Sequence, residues 1–303
     1  MMKKNFLIVG GTGFLGYNIA KSLLNKNNKI TILSLANPKK KRFLPNVEYI
    51  KCDISKKKQI KNKLKKNYDY IFNFGGYVDH TNISKTYLSH YVGVKNLSNF
   101  FLKKKIQLFV QIGSCLEYGK YKSPQKELSI SNPISNYAKS KYEASRHLLK
   151  LHNQFNFPCV ILRCYQIYGP TQDTNRLIPF VITKCLKDEH FECSNGKQYR
   201  DFLYIDDFVE LFKKLITKNK KYLFGQIFNI GAGKSYKIKK IINYINNKIG
   251  KGKPLYGAIK LRHEESINLY PNIFKVRKIL NWKPKIIFKK GLVKTINYYR
   301  KIV

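Results

Sequence analysis

A chain of 303 residues is long enough to bury a full core, as one large domain or two, and its 43% hydrophobic and 14% aromatic content excludes a disordered polymer. The apolar run Phe6–Val9 is too short for a signal peptide and no later segment stays apolar long enough to cross a bilayer, so a cytoplasmic protein without a membrane partner is expected. The formal net charge of +42 invites a nucleic-acid reading, but the lysines lie in short scattered runs (Lys39–Lys41, Lys56–Lys58, Lys103–Lys105, Lys213–Lys214, Lys239–Lys240). A binding patch needs concentration, so these runs are read as solvated faces and no nucleic-acid partner is expected. Such a field would still draw in an anionic substrate.

Taken in chain order, short apolar runs alternate with polar, helix-like stretches. NFLIVG ends in glycines, YNIAKSLLNK has helical spacing, and KITIL is β-branched. VEYIKCD, the lysine-faced helix KKQIKNKLKKN and the apolar YDYIFNFGG follow. Then come NLSNFFLKKK, IQLFVQIGS, a long helix through YAKSKYEASRHLLKLHNQF, and PCVILRCYQIYG. This alternation predicts an α/β fold, a doubly wound parallel sheet of the Rossmann type. After Gly169–Pro170 the rhythm loosens, which marks where a second, smaller C-terminal α/β region begins. The expected division gives 1–168, with returning segments near 204–233, to the dinucleotide-binding domain, and 169–203 with 234–303 to the substrate region.

The six cysteines (Cys52, Cys115, Cys159, Cys164, Cys185, Cys193) show neither a Cys-x-x-Cys nor a metal-ligand spacing with histidine. Reduced thiols are expected, and no metal site.

The loop VGGTGFLG follows the first strand and opens the first helix, with Gly10, Gly11, Gly13 and Gly16 at overlapping glycine spacings. In that context glycines allow a tight turn and close approach of a pyrophosphate to the helix N-terminus, which predicts dinucleotide binding. An acidic residue at the end of the second strand would select the ribose 2′-hydroxyl of NAD. Ser34 stands there instead, with Lys39, Lys40, Lys41 and Arg42 following, so NADP(H) is favoured and NAD(H) remains possible. Asp53, after the next strand, is placed to accept from the adenine amino group.

Tyr137 and Lys141 in NYAKSKYEAS share one helical face, where an ammonium beside a phenol suits proton exchange with a carbonyl oxygen. Spacing alone decides nothing, because Tyr-x-x-x-Lys also begins at Tyr17, Tyr91, Tyr118, Tyr236, Tyr244 and Tyr256. What separates Tyr137 is its place after the strand ending in QIGSCLEYG and at the start of a helix.

Together these motifs resemble the extended short-chain dehydrogenase/reductase family, in its sugar-nucleotide epimerase/dehydratase/reductase branch, over nearly the whole chain. GGTGFLG looks like its cofactor loop, CDIS like its adenine-side Asp, and YAKSK like its Tyr-x-x-x-Lys element. LRCYQIYGP resembles the strand leading into the substrate domain, and QYRDFLYIDD, FNIGAGKSY and KLRHEES…NWKPKI complete the pattern. The resemblance implies Ser114, Tyr137 and Lys141 as catalytic residues. It implies cofactor contacts at Gly10, Thr12, Gly13, Phe14, Leu15, Gly16, Ser34, Lys40, Arg42, Asp53, Ile54, Phe74, Gly75, Gly76 and Cys164, besides Tyr137 and Lys141. It implies substrate contacts at Gln166, Arg200 and Arg262, the two arginines on a nucleotide diphosphate.

Departures from the family pattern narrow the reaction. Dehydratases follow the catalytic residue with an Asp-Glu pair, and here Cys115 and Leu116 stand in those places, so dehydration is not expected. Glu117, one place further on, is read as a strand-end residue, and His80, in NFGGYVDH, as a loop residue. Gln166 replaces the usual Asn. What remains is a 4-ketoreductase using NADPH on a nucleotide-linked 4-keto-6-deoxysugar. The alternative is a 4-epimerase with tightly bound NAD, and a remote one is a non-catalytic Rossmann binding module. The helices in TYLSHYVGVKNLSNFFL and YAKSKYEASRHLLKLH resemble the family's dimer-forming pair, so a homodimer is expected.

Overall fold

The apolar runs of the first third become the centre of a seven-stranded sheet in a computed structural model that describes residues 4–77, 81–218, 220–261 and 265–303. In chain order the elements are β1 (Lys4–Val9), α1 (Phe14–Leu23), β2 (Asn28–Ser34), β3 (Glu48–Lys51), α2 (Lys57–Lys63), β4 (Tyr70–Asn73) and α3 (Ile83–Tyr87). A π-helical turn, Leu88–Val92, leads into α4 (Gly93–Phe101), followed by β5 (Leu108–Ser114), α5 (Asn136–Phe155), β6 (Cys159–Cys164), β7 (Gln166–Tyr168) and α6 (Leu177–Leu186). Then come β8 (His190–Cys193), β9 (Tyr199–Tyr204), α7 (Ile205–Thr217), β10 (Gln226–Ile230), β11 (Ser235–Lys237) and α8 (Ile238–Ile249). The chain closes with β12 (Lys253–Tyr256), β13 (Asn268–Leu269), α9 (Phe274–Leu280) and α10 (Phe288–Arg300). Among the described residues no helix is long and apolar enough to cross a membrane.

The backbone groups into two units. One comprises the residues up to Gly119, Ser131–Arg163 and Phe212–Phe228; the other comprises Lys120–Ile130, Cys164–Leu211 and Asn229–Val303. In the first, the sheet order is β10-β6-β5-β4-β1-β2-β3. The pairs β1–β2, β1–β4, β2–β3 and β4–β5 are parallel, as the predicted doubly wound fold requires. Strands β4 and β5 are buried along their whole length, because helices cover both sheet faces. One face carries Leu7, Val9, Ile71, Val94, Leu97, Phe101, Leu148 and Ile161. The other stacks Phe6 on Tyr70 at 4.9 Å and sets Phe212 edge-on to Phe72 at 5.0 Å.

Chain order reverses between β1 and β4, the switch point where open α/β sheets bind ligands. There the two loops touch: a Cβ on Gly10, whose φ is +73°, would lie 2.8 Å from the Gly75 nitrogen. A side chain at Gly10 would therefore force the cofactor loop open.

Helix α5 is the longest in the chain and carries Tyr137 and Lys141. It starts where Ser135 Oγ accepts from Ala138 N–H, and ends where Asn156 turns left-handed (φ 54°). It packs on α4, where the His147 imidazole lies 3.2 Å from Ser98 Oγ. Burial, with Lys95 and Lys150 adding like charge, holds the His147 pKa below its ordinary value. The unfolded chain then binds the extra proton, so stability is lost as pH falls through the ordinary imidazole range. The urea midpoint is expected to drop between pH 7.5 and 5.5, and the drop to shrink in His147→Gln; equal drops in both proteins would contradict this.

The second unit holds a four-stranded sheet in which β9 pairs with β7, β11 and β13, and a parallel pair of β8 and β12. Asp201, fully buried on β9, accepts from the Ala232 and Lys234 N–H groups and shapes that turn. Lys120–Ile130 is stitched in by Gln125, which accepts from the Tyr165 hydroxyl at 2.6 Å and from Asn229 Nδ2.

Candidate active site

The glycine loop leaves the N-terminus of α1 without a side-chain cap. The helix begins at Gly13, so its first N–H groups have no side chain of their own helix closing them off. A Cβ on Gly13 would meet only the Gly10 carbonyl, whereas one on Gly16 would lie 2.7 Å from Gly10 O and Gly11 Cα. The loop can thus admit a ligand at Gly13 while Gly16 packs the helix against it. Phe14 is buried on α1, Leu15 is half-buried beside it, and Ile54 lies under Gly75 and Gly93.

Ser34 and Arg42 both reach this loop. Ser34 Oγ accepts from Thr12 N–H at 3.4 Å, and Arg42 Nη1 donates to the Thr12 carbonyl at 3.4 Å. Arg42 is only 3% exposed, while Lys40 on the same turn is exposed. Within the basic run, Arg42 is folded onto the loop. Asp53 Oδ1 accepts from the Ser55 backbone and hydroxyl, and Asn96 Nδ2 donates to the Ile54 and Ser55 carbonyls, which fixes that turn.

At the ends of β4 and β5 lies a buried polar chain that the residue patterns did not reveal. Asn73 Nδ2 donates to Gln111 Oε1 at 2.8 Å, Asn73 Oδ1 accepts from Gly75 N–H, and Gln111 Nε2 donates to Ile112 O. The same Ile112 carbonyl accepts from Lys141 Nζ at 2.7 Å. Lys141 is therefore pinned to β5 two residues before Ser114, with its nitrogen 5.9 Å from the centre of the Tyr137 ring.

Ser114 closes β5 and is buried. Its Oγ accepts from Leu116 N–H at 3.2 Å, which leaves the hydroxyl hydrogen to donate to another oxygen. Tyr137, half-buried in the first turn of α5, meets the His90 ring edge-on at 4.9 Å. His90 sits in the π-helical turn, a feature that often marks functional sites, and is 4% exposed. Its Nε2 contacts the Tyr77 carbonyl at 3.0 Å, and a Cβ on Gly76 would lie 2.0 Å from its Cε1. Phe74 lies against Phe212.

Cys115, by contrast, is buried, and Leu116 is an exposed apolar side chain, so neither offers a proton-transfer group beside Ser114. Glu117 is no plain strand end. It is fully buried in a short helical turn after β5, and its carboxylate is ion-paired with Arg163 at 2.9 Å.

The second unit contains a cavity of about 390 Å³ lined by Gln166, Phe180, Gln198, Arg200, Phe202 and Glu265, among others. Arg200 is buried and donates to the Tyr199 and Ile267 carbonyls and to Glu265. Cys164 is half-buried at the end of β6. Arg262 and His80 lie outside the described residues. Among the described residues no cluster of three or more His, Cys, Asp or Glu could hold a metal ion.

Residues 6–231 match the NAD dependent epimerase/dehydratase family. The chain belongs to that family. A putative UDP-glucose 4-epimerase of Methanocaldococcus jannaschii is 28% identical, over 97% of this chain and 98% of the relative. The dTDP-D-glucose 4,6-dehydratase of Mus musculus is also 28% identical, over 98% of this chain and 89% of the relative. The solved UDP-glucuronic acid 4-epimerase of Bacillus cereus, in complex with UDP-glucuronic acid and NAD, superposes with a TM-score of 0.87. It covers 99% of this chain and 100% of its own at 21% identity, which shows the shared fold. The family is one of NAD-dependent sugar-nucleotide epimerases and dehydratases.

Proposed function

We propose that the protein is an NADPH-dependent reductase of a nucleotide-linked 4-keto-6-deoxysugar. The observation that carries this reading is the cofactor loop itself. A buried Arg42 lies on Thr12, and the non-acidic Ser34 ends β2, an arrangement that accepts a ribose 2′-phosphate and offers no carboxylate to a 2′-hydroxyl. A cofactor that arrives charged with hydride and leaves without it suits net reduction.

A nicotinamide cofactor bound there would supply hydride to the sugar carbonyl carbon. Tyr137 donates its phenolic proton to the carbonyl oxygen, and Ser114 donates a hydrogen bond to that oxygen as negative charge develops. Lys141, held by Ile112 O, keeps a positive charge beside the phenolate that remains. With Cys115 and Leu116 next to Ser114, no carboxyl pair is present there to eliminate water. In the second unit, the buried Arg200 in a cavity with Phe180 and Phe202 suits a nucleotide diphosphate. The exposed Tyr87 and Leu88 lie on the helical segment expected at a homodimer contact. We place the enzyme in the cytoplasm.

A 4-epimerase with retained NAD is the second reading, favoured by the names of the Methanocaldococcus and Bacillus relatives. Purified protein mixed with a 4-keto-6-deoxysugar nucleotide separates the two. Consumption of one NADPH per sugar supports the reductase, and retained NAD with sugar isomerised at no net cofactor cost supports the epimerase.

A further inference from the structure

We propose that Glu117 is a positioning residue that fixes Ser114 against the helix carrying Tyr137 and Lys141; the inference rests on the catalytic roles given to those three residues above. One carboxylate makes all the ties. Oε1 accepts from the Ser114 N–H at 2.8 Å. Oε2 accepts from Arg163 Nε on β6 at 2.9 Å and from Ser145 Oγ at 2.9 Å. Ser145 stands one turn beyond Lys141 on α5, and its hydroxyl also lies 3.1 Å from the Lys141 carbonyl. Glu117 therefore links the end of the strand bearing Ser114 to the helix bearing the other two catalytic groups.

The surroundings are shaped for that link. A Cβ on Gly113 would sit 2.6 Å from Glu117 Oε1, so glycine there is what lets the carboxylate reach the Ser114 backbone. Arg163, 3% exposed in its side chain, lies over the Tyr118 ring at 4.3 Å. Burial disfavours its charge, but Glu117 and Tyr118 outweigh that and hold its pKa above the ordinary arginine value. The link acts on the reacting oxygen through geometry, by setting where Ser114 stands relative to α5.

Stability alone does not call for this arrangement. A buried ion pair is often no better for folding than two apolar side chains of similar volume. It does give directed bonds that an apolar pair lacks. Ser114 and Tyr137 must both meet one substrate oxygen, and a displacement of about 1 Å between such groups costs on the order of 100-fold in rate.

The test separates rate from stability. Glu117→Gln is expected to lower kcat about 10- to 100-fold, with cofactor affinity within about twofold of the parent. The paired variant Glu117→Leu with Arg163→Met removes both charges and is expected to recover melting temperature without recovering kcat. Should Glu117→Gln fail to fold, the paired variant carries the test. Its crystal structure is expected to show Ser114 Oγ displaced relative to Tyr137. Recovery of kcat along with melting temperature, or an unmoved Ser114, would overturn the proposal. The crystallographic readout needs no turnover, so it stands even if the reductase reading fails; that failure shows separately, as retained NAD and an isomerised sugar with no NADPH consumed by the parent protein.

Discussion

Tyr137→Phe is expected to lower kcat by about 100- to 10,000-fold while leaving NADPH affinity within about twofold. The substitution deletes a single oxygen. The ring remains against His90, and Lys141 remains bonded to the Ile112 carbonyl, so the surroundings of the lost hydroxyl keep their packing. The hydroxyl of a half-buried side chain adds little to folding, so melting temperature should change by no more than a few degrees. On the proposed mechanism, what disappears is the proton that reaches the carbonyl oxygen as hydride arrives. Ser114 still donates to that oxygen, which is why residual turnover is expected rather than none. Steady-state kinetics with a fluorescence titration of NADPH give both numbers. Turnover at the parent rate would remove Tyr137 from the mechanism.

Cofactor choice should give the second large effect. Arg42→Ala is expected to weaken NADPH binding about 10- to 100-fold and NADH binding much less, since a charged hydrogen bond to phosphate contributes about 1.5–3 kcal/mol. Ser34→Asp is expected to push the same way by another route: a carboxylate repels a 2′-phosphate and accepts from a 2′-hydroxyl. Because Arg42 is buried against Thr12, its truncation also loosens the glycine loop, and Ser34→Asp serves as the variant that leaves that contact in place. Equal losses for both cofactors in both variants would mean that these residues hold the loop and do not read the 2′ position.

The cofactor half of the molecule was legible because its signals are local. A glycine loop between a strand and a helix needs no distant partner to be recognised, and Tyr137 and Lys141 are marked by their place at the start of the helix that follows the strand ending at Ser114. Arg42 was harder to read. In a run of lysines nothing marks which cation turns inward, and only the fold shows Lys40 exposed and Arg42 buried. Glu117 was misjudged for a related reason. Its partner Arg163 is 46 residues away, and its bond to Ser114 runs through the backbone, which leaves no residue pattern. The link between Asn73 and Gln111 spans 38 residues and is equally silent in the sequence. In the second unit, β11 has three residues and β13 two, too short for an alternation to show. Lys120–Ile130 joins that unit through Gln125, a long-range polar bond with no periodic signature.

One measurement bears most directly on the central claim. NADPH deuterated at the transferring position of the nicotinamide is mixed in a single turnover with a 4-keto-6-deoxysugar nucleotide, and the sugar is analysed by NMR. The account predicts deuterium on C4 of the product with one equivalent of NADP⁺ formed, and loss of that transfer in Tyr137→Phe. An unlabelled sugar with the deuterated cofactor unconsumed would contradict it.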